Sequence, residues 1–526
     1  MVSWVDMWKR ATVPTLGRIY YPKRLVETFA KKETTKLPVV HNFVGGKFVA
    51  SQGPIIQTVT NPATGESLQS VPSTTKQEVD HVVQVAQEAF ESWSKMPMGR
   101  RLNYIFQLRE GVRKRSAEIA QVITRELGKT PADAQGDVAR GLEIVEYSCG
   151  AAGKLEGMFQ KNVATNVDMM QMREPLGVCL GVCPFNFPAM IPLWMLPMST
   201  VVGNTIVLKP SELVPGAVEL IAQVVDEAKF PPGVFNVVQG GKETVDHLLE
   251  HPGIKAVSFV GSTPVGRHIY RKASERGIRA QCNMGAKNHA VIMPDAAKDT
   301  ALNALVGAAF GASGQRCMAI SVAVFVGEAG NWIPELVKKT QTLVLGTTEK
   351  SDLGPLVTEK AKQRVEKLIQ SAESQGAKIE YRASVPFSSG NWVGPTIISQ
   401  VQPHMDVYQQ EIFGPVLSCI RVDTLEDAIQ LINQNPYGNG TSIFTQSGVA
   451  ARMFQSNIQV GQVGINLPIP VPAPPFGFTG SKDSMWGDLP FYGSTGFEFY
   501  TRPKTVITRW DEKVLDAIHT SMPLHR

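Results

Sequence analysis

The 526-residue chain is short of several things at once, and each shortage removes a class of function. Charged residues make up 19% of it and the net charge is +5, part of which falls in the first 36 residues, so no basic face for nucleic acid is expected. No apolar run approaches the roughly eighteen residues of a membrane-spanning helix, and no compact apolar block follows the first charges, as a secretory signal requires. The six cysteines (Cys149, Cys179, Cys183, Cys282, Cys317 and Cys419) are scattered without a Cys-x-x-Cys pair. They do not form a disulfide framework, and a reducing compartment follows. Gly-x-Gly-x-x-Gly is missing. Gly261 to Arg267 has the spacing of a P-loop, but Arg267 and His268 stand where lysine and a hydroxyl are needed, which disfavours a nucleoside triphosphatase. His247-Leu248-Leu249-Glu250-His251 spells a metalloprotease string, but Pro252 follows at once and no further ligand is near. A solvated helix end is expected there, and no metal.

What is present describes a globular protein of two or three domains, 43% apolar and longer than one ordinary core. Residues 1–36 carry Lys9, Arg10, Arg18, Lys23, Arg24, Lys31, Lys32 and Lys36 among Trp4, Trp8, Leu16, Ile19, Leu25 and Phe29, against three acidic residues. They read as a transit peptide, with the mitochondrial matrix as destination. From Leu37, Phe43–Val49 reads as a hairpin and Asn61–Glu66 as a turn. Thr75 and Glu78 read as a capping box opening an amphipathic helix. Further helices are expected over Gly99–Arg125 and Pro131–Gly153.

From Leu176 the pattern changes. Apolar runs at Val178–Cys183, Thr205–Leu208, Val234–Val238 and Ala256–Val260 alternate with helical stretches at Met190–Val202, Gly216–Lys229, Glu243–His251 and Pro264–Ser274. Such alternation predicts an α/β fold with a mostly parallel, doubly wound, Rossmann-type sheet whose ligands lie beyond the carboxyl ends of its strands. The loops there are Pro184–Pro188, Lys209–Glu212 and Gly261–Gly266. Lys209 and Glu212 suit ribose hydroxyls, with Glu212 repelling a 2′-phosphate and so favouring NAD. The amides of Gly261–Gly266 open a helix towards pyrophosphate.

Cys317 stands alone in Gly311-Ala312-Ser313-Gly314-Gln315-Arg316-Cys317-Met318-Ala319. Small residues on its approach and Arg316 beside it suit a nucleophile, with the guanidinium favouring thiolate. Set against this is the ordinary fate of a free cysteine, burial as a small apolar side chain.

Taken in order, Arg173-Glu174-Pro175-Leu176-Gly177, the Asn186 loop, Lys209–Glu212, Gly261–Gly266, Asn283-Met284-Gly285-Ala286-Lys287-Asn288-His289, the Cys317 stretch and Glu411-Ile412-Phe413-Gly414-Pro415 resemble the aldehyde dehydrogenase superfamily. The resemblance runs from about Leu37 to Trp510 and is nearest to the coenzyme A-acylating semialdehyde branch. It implies Cys317 as nucleophile and Asn186 as oxyanion donor. It also implies Cys183, Phe185, Lys209, Glu212, Leu213, Ser262, Glu411 and Phe413 around NAD. Leu213 departs from the arginine usual in relatives. Asn283 stands where hydrolytic members have glutamate, and an amide cannot take a proton from water. Coenzyme A is then the expected acyl acceptor.

A carboxylate on the substrate calls for a cation, which assigns Arg316 and Arg140 to it. The branch converts methylmalonate and malonate semialdehydes to propionyl-CoA and acetyl-CoA with loss of the carboxylate, in valine and pyrimidine catabolism. By the same resemblance, residues 37–160 and 178–284 form the NAD-binding domain and 285–484 the catalytic domain. Residues 161–177 and 485–510 form a small β arm that joins a homotetramer. The proline-rich stretch 466–478 reads as a loop over the site, and Thr495–Thr508 as the arm's second strand. A hydrolytic semialdehyde dehydrogenase and a non-catalytic relative are the alternatives.

Overall fold

The structure, a computed structural model, describes residues 37–510. The transit stretch 1–36 and the tail from Asp511 lie outside the described residues.

The predicted alternation builds the first of two large sheets. Its strands lie in the spatial order Lys47–Val49, Asn42–Val44, Phe235–Val237, Thr205–Lys209, Val178–Val182, Ile254–Val260, Arg279–Asn283 and Met485–Trp486. The five central strands run parallel, and antiparallel pairs close both edges. In chain order the central strands read three-two-one-four-five. The winding therefore reverses between Val178–Val182 and Ile254–Val260, and a ligand crevice is expected beyond their carboxyl ends. Their loops, Cys183–Phe187 and Gly261–Ser262, leave at that reversal. Glu78 and Thr75 form the expected capping box on Lys76–Trp93, whose apolar face (Val79, Val82, Val83, Ala86) is buried.

The second sheet has the order Lys378–Arg382, Thr396–Ser399, Val416–Val422, Ile320–Val326, Asn288–Ile292, Gly440–Phe444 and Gln462–Ile465. Only its Lys378–Arg382 edge is antiparallel. The chain crosses from the first sheet to the second through Met284-Gly285-Ala286-Lys287. Ile320–Val326 and Val416–Val422 are neighbours, and both are entered at their amino ends, one from the Cys317 stretch and the other from Glu411–Pro415. The loops at the carboxyl ends of one sheet thus meet those at the amino ends of the other.

Three expectations are corrected. Gly99–Arg125 is two helices, Met98–Lys114 and Ser116–Leu127, broken at Arg115 (φ −99°, ψ 11°). The Arg115 guanidinium is held by Glu118 at 2.8 Å and Glu227 at 3.2 Å. Thr495–Thr508 is not one strand: Gly493–Phe499 is helical because it buries Phe497 and Phe499, with Phe497 stacked 5.8 Å from Tyr147. Thr501–Arg509 then pairs with Val167–Pro175, and that strand with Met158–Ala164, as an antiparallel ribbon. Finally, Met485–Trp486 belongs to the first sheet rather than to this ribbon.

Candidate active site

The Cys317 loop is held in a costly shape. Ala312, Ser313 and Gly314 take φ of +49°, +55° and +70°, a region that side chains with a Cβ seldom occupy. Neighbouring groups hold it there. The Ala312 N–H donates to the Asp133 carboxylate at 3.0 Å, the Ser313 hydroxyl donates to the Gly354 carbonyl, and Gln315 Oε1 accepts from Val357 N–H at 3.0 Å. A Cβ at Gly314 would lie 2.1 Å from the carbonyl oxygen of Gly414. Only glycine lets the nucleophile loop touch the Glu411–Pro415 segment this closely.

Cys317 lines a cavity shared with Asn288, Arg316, Glu411 and Phe413. Its carbonyl accepts hydrogen bonds from Asn288 Nδ2 at 2.8 Å and Asn439 Nδ2 at 3.0 Å. The buried Asn186 amide donates to the Gln315 carbonyl at 3.0 Å, which sets it beside the backbone leading into the nucleophile. An amide nitrogen carries two donors, and this contact uses one.

Burial, and then the Glu411 carboxylate, push the Cys317 thiol up to about 12, while the N–H groups of Cys317 and Met318 and the Lys129 ammonium pull it down. Of these influences the Lys129 ammonium is the smallest. The Arg316 guanidinium, expected from sequence to favour the thiolate, is bonded to Asp133. Lys129 is fully buried, 2.9 Å from Asp137 and 3.9 Å from the Phe187 ring centroid. The second Asp137 oxygen accepts from the Met190 N–H at 2.7 Å, at the start of the wholly buried helix Met190–Val201. A carboxylate there is favoured by the helix dipole.

Neither substrate arginine is a lone cation. Arg140 donates to Glu143 at 2.6 Å and to the Pro472 carbonyl at 3.3 Å. The same carbonyl accepts from the Tyr492 hydroxyl at 2.9 Å. Burial raises the Tyr492 hydroxyl, and the charges of both Arg140 and Cys317 act on it. The proline-rich loop, Arg140 and the nucleophile therefore share one neighbourhood.

On the other side of the cavity Phe185 and Phe413 meet edge to face, centroids 5.8 Å apart, with Phe413 at φ +49°. The Glu411 carboxylate accepts from Ala286 N–H at 3.0 Å, and burial raises its pKa. Lys287, brought down to about 7 by burial, donates to the carbonyls of Val407 and Gln410. Lys209 bridges Glu212 and the Gly240 carbonyl, both at 3.1 Å. Burial would raise the Glu212 carboxyl, but Lys209 holds it below the usual range. The Cys183 thiol is pushed to about 12 by burial, and its backbone N–H donates to the Lys209 carbonyl.

Leu213 packs against the first core and offers no charge. Ser262 is exposed at the N-cap of Thr263–Glu275, its side chain makes no cap bond, and the first turn has no acidic residue. The helix amides there are left for an anion. These surroundings fit a dinucleotide: two aromatics meeting edge to face beside a ring, a lysine and carboxylate for a ribose, and an uncapped helix start for pyrophosphate.

Asn283 ends its strand fully buried, its Nδ2 3.4 Å from Asn439 Oδ1. His251 closes the Lys242–Glu250 helix 3.9 Å from Asp80, and no three metal-ligating side chains cluster among the described residues. The sequence did not single out Asn439, Lys129, Asp133 or Tyr492. Asn439 sits in Asn435-Pro436-Tyr437-Gly438-Asn439-Gly440, which reads only as a turn, and the other three carry no local signal.

Compared with known proteins, residues 48–506 match the model of the aldehyde dehydrogenase family. A Dictyostelium discoideum relative is 51% identical, covering 93% of both chains. The human methylmalonate-semialdehyde/malonate-semialdehyde dehydrogenase (acylating), mitochondrial, is 48% identical over 92% of each. Among solved structures, the methylmalonate-semialdehyde dehydrogenase of Oceanimonas doudoroffii has a TM-score of 0.89 at 46% identity, covering 91% of this chain and 99% of that one. A Sinorhizobium meliloti protein crystallised with NAD has the same TM-score of 0.89 at 42% identity, with the same coverage of 91% and 99%. The chain belongs to the aldehyde dehydrogenase family, whose members are oxidoreductases.

Proposed function

We propose, from membership of the aldehyde dehydrogenase family, that this chain oxidises methylmalonate and malonate semialdehydes with NAD and passes the acyl group to coenzyme A. The observation that carries the reading is Asn283: a buried amide, one residue removed from the nucleophile through Asn439, that cannot itself take a proton from water. Names of the relatives above support the substrate and the acylating outcome, and the NAD complex supports the cofactor.

Cys317 attacks the aldehyde carbon, and the Asn186 amide with the Cys317 N–H receives the oxyanion. Lys209, Glu212, Ser262 and Glu411 would hold NAD, with Phe185 and Phe413 beside its ring and Cys183 and Leu213 flanking it, and the bound cofactor would supply the hydride acceptor. Asn283 offers water no base for attack on the thioester, and the coenzyme A thiol displaces Cys317. For malonate semialdehyde the balance is semialdehyde, NAD and coenzyme A in; acetyl-CoA, carbon dioxide and NADH out. Arg316 and Arg140 receive the substrate carboxylate. Arg316, tied to the partly buried Asp133, holds the nucleophile loop and lines the pocket.

The enzyme acts in the mitochondrial matrix after removal of residues 1–36 and assembles as a homotetramer. Exposed Met158, Phe159 and Ile507 on the ribbon support the second statement. The three largest sheets support the division into an NAD-binding domain, a catalytic domain and an arm.

The test is steady-state NADH formation from malonate semialdehyde with and without coenzyme A, with the acyl product identified. Strong stimulation and acetyl-CoA as product are expected. Equal turnover without coenzyme A, releasing free acid, would overturn the acylating assignment and favour a hydrolytic enzyme.

A further inference from the structure

We infer that Asn439 is a positioning residue that reserves position 283 for an amide and so helps to select thiol over water as acyl acceptor. The inference rests on the acylating function proposed above and deepens it. Its starting point is a carbonyl, which can only accept. Asn439 Nδ2 lies 3.0 Å from the Cys317 carbonyl oxygen and 3.1 Å from the Met318 sulfur, so the nitrogen of this side chain must face the nucleophile. Turned the other way, two oxygens would meet at hydrogen-bond distance. With its nitrogen committed, Asn439 presents Oδ1 to position 283, at 3.4 Å from Asn283 Nδ2. Asn283 must then turn its own nitrogen that way, which leaves its Oδ1 buried with no partner among the described residues.

The orientation runs in one direction, from the Cys317 carbonyl through Asn439 to Asn283. Asn439 and Asn283 are 1% and 0% exposed, so water does not soften the preference. A carboxylate at 283 would face an acceptor oxygen with no proton between them. It would be driven to keep its proton, and a protonated carboxyl cannot take one from water. Hydrolysis of the Cys317 thioester needs that transfer: water gives a proton to the base, its oxygen bonds to the acyl carbon, and the bond to the Cys317 sulfur breaks. Thiolysis exchanges one carbon–sulfur bond for another, with the thiol proton passing to the departing Cys317 sulfur, and does without the base.

The experiment compares Asn283→Glu with Asn283→Glu/Asn439→Leu, measuring free acid and NADH from malonate semialdehyde without coenzyme A. Leucine removes the facing oxygen at similar volume, and Asn288 still holds the Cys317 carbonyl at 2.8 Å. The double variant is expected to release acid about tenfold faster than the single one. Equal rates would overturn the inference. Should the double variant fail to fold, the pH profile of Asn283→Glu decides alone. The profile is read on the pre-formed acyl-enzyme, which no longer depends on ionisation of Cys317: a rise in acid release between pH 6 and 9 beyond that of the unaltered enzyme's acyl form marks the held proton, whereas a profile no steeper than the unaltered enzyme's overturns the inference. Coenzyme A dependence of the unaltered enzyme is read separately, so a failure of the acylating assignment is distinguishable from a failure of the Asn439 role.

Discussion

The two halves of the site are built differently. The dinucleotide side is a set of local devices: Lys209 and Glu212 lie three residues apart, and Ser262 stands at the uncapped start of the helix that follows its own strand. The nucleophile side is a convergence. Cys317 depends on Asn288 and Asn439 for its carbonyl, on Asn186 beside its approach and on Asp133 for its strained loop, groups drawn from four separate elements. A local device fails alone, whereas a convergent one fails through any of its supports. The largest test of that difference is Asn186→Ala. Removing one preorganised oxyanion donor should cost about 10²–10³ in kcat with little change in KM for NAD. Steady-state kinetics on both substrates check it, and a loss shared equally between the two constants would mean the residue only supports the fold.

On the dinucleotide side the effect should be smaller and confined to binding. Glu212→Gln keeps the shape and one acceptor oxygen but removes the charge partner of Lys209 and the repulsion of a 2′-phosphate. KM for NAD should rise about tenfold, kcat should hold, and the preference for NAD over NADP should narrow. Fluorescence titration with both dinucleotides measures it. A fall in kcat at unchanged KM would erase the distinction between the two halves.

The same contrast explains what the sequence made legible. The doubly wound sheet was readable because each βαβ unit announces itself within about 30 residues, and the capping box at Thr75 and Glu78 spans only four positions. Cys317, Asn186 and Glu411 could be singled out because each sits in a recognisable stretch. Their supports could not, since the Asn439 contact to Cys317 spans 122 residues and that of Asp133 to Ala312 spans 179. Arg316 shows what adjacency does not reveal: it neighbours Cys317 in sequence and bonds to Asp133, a partner 183 residues away. The Gly493–Phe499 helix was read as strand for a related reason. Tertiary burial of Phe497 and Phe499 overrides what their local pattern suggests.

The smallest effect lies where the two halves touch. Glu411 belongs by position to the dinucleotide side, but its charge is the second cause, after burial, of the raised Cys317 thiol. Glu411→Gln removes that charge and keeps a carbonyl oxygen for the Ala286 N–H, now accepted by the carboxylate at 3.0 Å. With a like charge gone, the thiolate is less disfavoured and the thiol pKa falls from its value of about 12. At any pH below the pKa the thiolate fraction grows tenfold per unit of that fall. Because burial remains the larger cause, the gain should be only a few-fold. The rate of alkylation by iodoacetamide between pH 7 and 9, without NAD, reads it directly. A faster reaction in the variant, with an unchanged slope against pH, means the halves are coupled through charge. A rate equal to or below that of the unaltered enzyme would mean that Glu411 does not reach the sulfur, and that the two halves are independent in electrostatics as well as in construction.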